Sequence, residues 1–218
     1  MIERTIEVER MEHVISVFGS FDQNLRIIEN ELGVKVLDRD NKIHVCGEEE
    51  SAMLAEKAIN GLLTLAARGE NIDAQNVRYI LKLVAEGKES KIDELAGDVV
   101  CITSKGKPVK AKTLGQKSYC EAIANNTVTL GVGPAGTGKT YLAVAAAVAA
   151  FRAEEVNRII LTRPAVEAGE RLGFLPGDLQ SKVDPYLRPL YDALFEMLGA
   201  ETYQKYLERG NIEVAPLA

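Results

Sequence analysis

With 218 residues, 46% of them hydrophobic and 27% charged, the chain is long for one domain and short for two full-sized ones. That composition excludes collagen-like, low-complexity and wholly disordered classes. The net charge of −6 sits at one end: residues 1–90 hold 11 Lys+Arg against 17 Asp+Glu, and residues 91–218 hold 15 of each. No apolar run approaches the ~20 residues of a membrane helix, and Met1-Ile2-Glu3-Arg4 leads into no apolar core of a secretory signal. Cys46, Cys101 and Cys120 are far apart and form no CxxC pair, which argues against a disulfide framework or zinc site and for a cytoplasmic location.

In chain order, Ile2, Ile6 and Val8 predict an extended N-terminal stretch, and the β-branched run His13 to Phe18 predicts a strand. Ser20 to Leu32 reads as a helix with Phe21, Leu25, Ile28 and Leu32 on one stripe. Ser20 and Gln23 have the spacing of a capping box there, and Gly33 is placed to end the helix. Val34–Leu37 and Ile43–Cys46 predict a hairpin around Arg39-Asp40-Asn41-Lys42. Helices follow from Glu48 to Arg68 and, capped by Asp73, to Glu86, with Val77, Ile80, Leu81 and Val84 on one face. Gly87 to Gly97 is polar and reads as a linker. A small hairpin around Ser104-Lys105-Gly106-Lys107 comes next.

The grammar then changes. Gly115–Asn125 predicts a helix, Thr127–Val132 a buried strand, Lys139–Phe151 a helix and Arg158–Thr162 a second buried strand, the order of a parallel sheet covered by helices. Lys105, Lys107, Lys110, Lys112 and Lys117 lie in a stretch without an acid from Val99 to Cys120: a solvated face, or a surface for an anionic partner.

Gly133-Pro134-Ala135-Gly136-Thr137-Gly138-Lys139-Thr140 matches the P-loop pattern GxxxxGK[ST], Walker A, at every required position. Glycines at 133, 136 and 138 let the backbone curl round an oxyanion, and the following helix presents its positive end to the same phosphates. Lys139 would reach the β- and γ-phosphates of ATP, and Thr140 would offer its hydroxyl to Mg²⁺, making these two the candidate catalytic residues. The bland alternative is a glycine-rich turn with an exposed lysine. Gln116 lies 17 residues ahead of Gly133. Its amide can pair with adenine N6 and N7 together, although most glutamines are plain surface residues.

The blocks Lys112-Thr113-Leu114-Gly115-Gln116-Lys117-Ser118-Tyr119, GPAGTGKTYLAVAAAV, Thr162 to Gly177 (TRPAVEAGERLGFLPG) and Lys182 to Leu190 (KVDPYLRPL) resemble the PhoH family of bacterial ATPases. The first ninety residues resemble that family's KH-like region more loosely. The resemblance implies an α/β chain: a RecA-like P-loop parallel-sheet core, related to superfamily 1 helicases, preceded by a small α+β KH-like domain. It divides the chain into a KH-like domain at 1–90, a linker and basic hairpin at 91–112, and a partial P-loop domain at 113–218. It also implies an adenine-reading role for Gln116, RNA metabolism, association with an rRNA-processing endoribonuclease, a homo-oligomer and no membrane.

Two departures from the family pattern matter. An RNA-gripping KH fold uses a GXXG loop. Here Gly19-Ser20-Phe21-Asp22 lacks the second glycine, adds an acid, and lies in the acidic segment. After Thr140, no run of four apolar residues ends in Asp or Glu, so the Walker B acid that would help hold Mg²⁺ is not found, and Asn211 to Ala218 stops short of it. The expectation is an incomplete core that binds ATP and hydrolyses it poorly, with a nucleotide-gated RNA-binding or scaffold protein as the alternative. Arg163 and Arg171 fit a phosphate or nucleic-acid contact as well as pairing with Glu167 or Glu170. Arg188, Lys182 and Asp184 read as parts of a packed helix with Tyr186, Leu187 and Leu190. His13 and His44 flank strands without partners.

Overall fold

The computed structural model describes residues 1–97, 99–162 and 179–215, with backbone alone at 179–186 and 214. It is a mixed α/β chain of helices and small sheets in two units, Met1–Gly97 with Lys112–Leu114, and Asp98–Ala111 with Gly115–Ala218.

The first unit runs β1 (Ile2–Glu7), α1 (Met11–Phe18), α2 (Gln23–Leu32), β2 (Lys35–Arg39), β3 (Lys42–Gly47), α3 (Glu49–Ala67) and α4 (Ala74–Ala85). The strands form an antiparallel sheet in the order β1-β3-β2, with Ile6 opposite Ile43 and Val36 opposite Val45. Along β3, Ile43 and Val45 alternate into the core. They meet α3, whose Ala52, Ala55, Ile59 and Leu62 are buried at helical spacing. The hairpin turns through Asp40 and Asn41 at φ 54° and 62°, the left-handed pair that such two-residue turns demand. Asp73 caps α4 as expected, with a full capping box to Asn76.

Three local expectations differ. His13–Phe18 belongs to α1, not to a strand, because its buried residues are Val14, Val17 and Phe18, three and one apart, a helical face. Burial of that face overrides the β-propensity of Val and Ile. The Ser20–Gln23 capping box does not form. Ser20–Asp22 is a 3-10 turn in which Phe21 and Asp22 are left-handed (φ 53° and 56°), and α2 begins with no side-chain cap. Phe21 is 93% exposed, and Asn24 takes the buried place, donating to the Ile72 carbonyl at 3.2 Å. Gly33 does end α2, its N–H bonded to Glu29 O. Gly87–Gly97 holds a 3-10 helix, Glu89–Leu95, with Ile92 and Leu95 buried in the core of this unit. Ile92 lies so close to Gly61 of α3 that a Cβ there would stand 2.6 Å from Ile92 Cδ1.

The second unit runs β4 (Cys101–Ile102), β5 (Pro108–Val109), α5 (Leu114–Asn125), α6 (Lys139–Arg152), β6 (Ile159–Leu161), α7 (Leu179–Leu198), α8 (Ala200–Glu208) and β7 (Ile212–Val214). β4 and β5 make the small expected hairpin. β6 and β7 pair in parallel, Ile159 with Ile212 and Leu161 with Val214, a pairing different from the strand–helix–strand expected across Thr127–Thr162. Its core joins Leu142, Ala145 and Val148 of α6 to Leu194 and Met197 of α7 and Ile212 of β7. Arg152 fastens the end of α6, donating from Nη1 to Ile102 O at 2.5 Å and from Nη2 to Met197 O at 2.7 Å. The strand expected at Thr127–Val132 is not formed. Among the described residues the segment pairs with no strand, and Val128, Leu130 and Val132 are 77%, 87% and 98% exposed. The strand expected at Arg158–Thr162 is present as β6, buried on one face only, since Ile160 faces out between Ile159 and Leu161.

Candidate nucleotide site

The loop from Gly133 to Gly138 runs into the first turn of α6. Gly136 and Gly138 have φ of 74° and 83°, a backbone that side chains with a Cβ rarely adopt. Gly133 is not in that region. A Cβ there would meet Lys139 Cδ at 3.9 Å, an ordinary contact, so two of the three expected glycines carry the curl. Gly138 is the N-cap residue of α6 and, lacking a side chain, supplies no capping hydrogen bond. The first N–H groups of a helix have no intrahelical acceptor, and the helix dipole is positive there. An uncapped start beside two left-handed glycines has the donor set that a polyphosphate needs.

Lys139 folds back over this loop. Its ammonium donates to Gly133 O at 2.8 Å, Pro134 O at 2.6 Å and Thr137 Oγ1 at 3.2 Å. All three acceptors are neutral, and phosphate oxygens with full charge bind an ammonium more strongly. Thr137 Oγ1 in turn donates to Pro134 O at 3.0 Å. Pro134, Ala135 and Thr140 are exposed, with Thr140 one residue into α6. Among the described residues, no group of three or more His, Cys, Asp or Glu side chains is gathered to hold a metal ion.

Gln116 reaches the loop from α5, its Nε2 donating to Thr137 O at 3.1 Å. Tyr119, three residues on, packs its ring so close to Gly131 that a Cβ there would lie 2.9 Å from Cε2. Residues three apart share a helix face, a signal by which sequence reading could have paired Tyr119 with Gln116. Tyr141 follows Thr140 and ties α6 to α7, its hydroxyl donating to Glu196 Oε1 at 3.0 Å. Burial and then that carboxylate push its phenol up to about 12.

Of the remaining candidates, Arg163 and Arg171 lie outside the described residues, as do the side chains of Lys182, Asp184 and Tyr186. Arg188 is exposed on α7, beside the buried Leu187. His44 does have a partner, Glu3 Oε1 at 2.7 Å. Lys105 and Lys107 are exposed at the hairpin turn, while Lys112 is paired with Asp73 at 2.6 Å.

The family model described as PhoH-like protein matches residues 108–218, the stretch that holds Gln116 and the loop. The chain belongs to the PhoH-like family. It is similar to the PhoH-like protein of Mycobacterium tuberculosis, 50% identical over 206 residues that cover 94% of this chain and 58% of the relative. The PhoH-like protein of Bacillus subtilis is 44% identical over 212 residues, 97% of this chain and 66% of that protein. Protein PhoH of Escherichia coli is 44% identical over 113 residues, 51% of this chain and 32% of its own length. The chain thus spans 58% of the length of the mycobacterial PhoH-like relative. Among the described residues, no helix is long and apolar enough to cross a membrane.

Proposed function

We propose that this PhoH-like chain binds Mg·ATP at Gly133–Thr140 and belongs to a cytoplasmic ATPase that acts in RNA metabolism. The observation that carries the reading is the start of α6: an uncapped helix N-terminus after two left-handed glycines, with the Lys139 ammonium held over the loop by neutral acceptors. In this reading the loop and first-turn N–H groups take the phosphate oxygens, Lys139 takes the β- and γ-phosphates, and Thr140 contributes to Mg²⁺. Gln116 reads the adenine edge. Bound Mg²⁺ would supply neutralisation of the phosphate charge.

Residues 1–90 are read as a KH-like domain and 113–218 as part of a RecA-like core. The order β1-α1-α2-β2-β3-α3, with Gly19–Asp22 between two helices, supports the first. Asp22 stands where a GXXG loop has its second glycine, and it adopts the left-handed backbone that a glycine takes freely. Its carboxylate repels phosphate, so RNA contact is assigned to exposed Lys105 and Lys107. The bare row of Val128, Leu130 and Val132 supports self-association.

Titration of a fluorescent ATP analogue into wild type and Lys139→Ala tests the core of this reading. Loss of most of the affinity is expected; equal affinity would reduce the octapeptide to a turn.

A further inference from the structure

The bond between Gln116 and Thr137 does something that base reading alone does not require. Gln116 Nε2 donates to the backbone carbonyl of the residue before Gly138, at 3.1 Å. The amide is packed onto that peptide, since a Cβ on Gly138 would come within 3.2 Å of Nε2. In a trans peptide the carbonyl and the following N–H point in opposite directions. Holding Thr137 O toward α5 therefore turns the Gly138 N–H away from α5. The left-handed φ of 83° at Gly138 then leads directly into α6 and Lys139. Thr137 is bonded a second time at its side chain, where Oγ1 donates to Pro134 O at 3.0 Å and receives Lys139 Nζ at 3.2 Å. One residue thus joins the Gln116 amide to the lysine and to the opposite limb of the loop.

We infer that Gln116 is a positioning residue of the phosphate loop: through the Thr137 carbonyl it sets the aim of the Gly138 N–H, so the grip on phosphates depends on the amide offered to the base. The inference rests on the phosphate-site reading above and adds regulation to it. A nucleotide whose base engages this amide acts on the loop through Thr137, whereas a bare polyphosphate meets the loop as Gln116 alone has set it.

The test separates base from phosphate. Inorganic tripolyphosphate, ATP and GTP are titrated calorimetrically, with Mg²⁺, into wild type, Gln116→Ala and Gln116→Met, each checked for an unchanged far-UV circular dichroism spectrum. Methionine keeps the length and helix propensity of glutamine but donates nothing. Both variants should bind tripolyphosphate about three- to ten-fold more weakly than wild type, although that ligand has no base, as loss of one hydrogen bond implies. ATP should suffer more than GTP. Unchanged tripolyphosphate affinity alongside weakened ATP binding would make Gln116 a base reader only and overturn the inference, with the phosphate site intact. Wild-type affinity in Gln116→Met but not in Gln116→Ala would assign the effect to packing and overturn it as well. Wild-type chain that binds neither tripolyphosphate nor ATP would remove the phosphate site itself, and the inference with it.

Discussion

β3 and Thr127–Val132 carry nearly the same message in sequence and meet opposite fates. Ile43 and Val45 alternate along β3, and Val128, Leu130 and Val132 alternate along the later segment. β3 has β1 on one side and β2 on the other, and Ile43 and Val45 are fully buried. Thr127–Val132 pairs with no strand among the described residues, and its three apolar side chains face solvent. Alternation states which face of a strand is apolar. It does not supply the neighbour whose N–H and C=O groups make it a strand.

The largest effect expected from this contrast is in the core. Ile43→Ala should destabilise the first unit by about 2–5 kcal/mol, the transfer loss plus an unfilled cavity. Leu130→Ala, an equivalent truncation in the bare row, should change stability by less than about 0.5 kcal/mol. Urea unfolding followed by circular dichroism compares them. A cost at Leu130 close to that at Ile43 would mean that the bare segment is packed in solution, and the contrast would fail.

A middle-sized effect is expected where the second unit is held by backbone acceptors. Arg152→Met keeps the aliphatic stem and removes the donors to Ile102 O and Met197 O. A loss of about 1–3 kcal/mol is expected, since hydrogen bonds from a charged group are stronger than neutral ones. The same unfolding assay reads it. No loss would mean that the hairpin β4–β5 is secured by Cys101 and Val109 in the core rather than by the guanidinium.

The same distinction explains what was legible. α3 and α4 were readable because their apolar spacing is local, and the β2–β3 hairpin because Asp40-Asn41 is a turn signal contained in adjacent residues. The turn into α6 was readable because its glycines stand at fixed spacing, and Gly136 and Gly138 take the left-handed backbone there. His13–Phe18 was misread because a six-residue β-branched run satisfies both periods, and only burial of Val14, Val17 and Phe18 decides between them. The polar stretch before residue 97 hid two core residues, Ile92 and Leu95, among charges. The Gln116 bond to Thr137 joins residues 21 apart, and nothing local announces a backbone acceptor.

Asp73 places both kinds of information on one carboxylate, and the smallest loss predicted for a bonded group comes from separating them. Oδ1 accepts from the N–H groups of Gln75 and Asn76 at 3.0 Å each, the cap that the sequence announced. Oδ2 meets Lys112 Nζ at 2.6 Å, a partner 39 residues away that it did not announce. Burial on its own would raise this carboxyl. The hydrogen bond and charge of Lys112, with the two backbone donors, outweigh burial and hold it below its ordinary value. A lowered folded-state pKa contributes stability that is present above the unfolded value and disappears as pH falls through the folded one. Asp73→Asn keeps a good cap acceptor and removes the charge, so near pH 7 it should cost about 0.2–1 kcal/mol, for a pair still partly open to solvent. That difference from wild type should close as pH falls below the ordinary carboxylate range. Asp73→Ala removes the cap too, and should stay below Asp73→Asn by about 0.5–2 kcal/mol. Urea unfolding of all three chains from neutral to acidic pH measures both gaps. If the gap between wild type and Asp73→Asn does not narrow on acidification, Lys112 does not act on the charged form of Asp73, and the long-range half of this pairing is wrong.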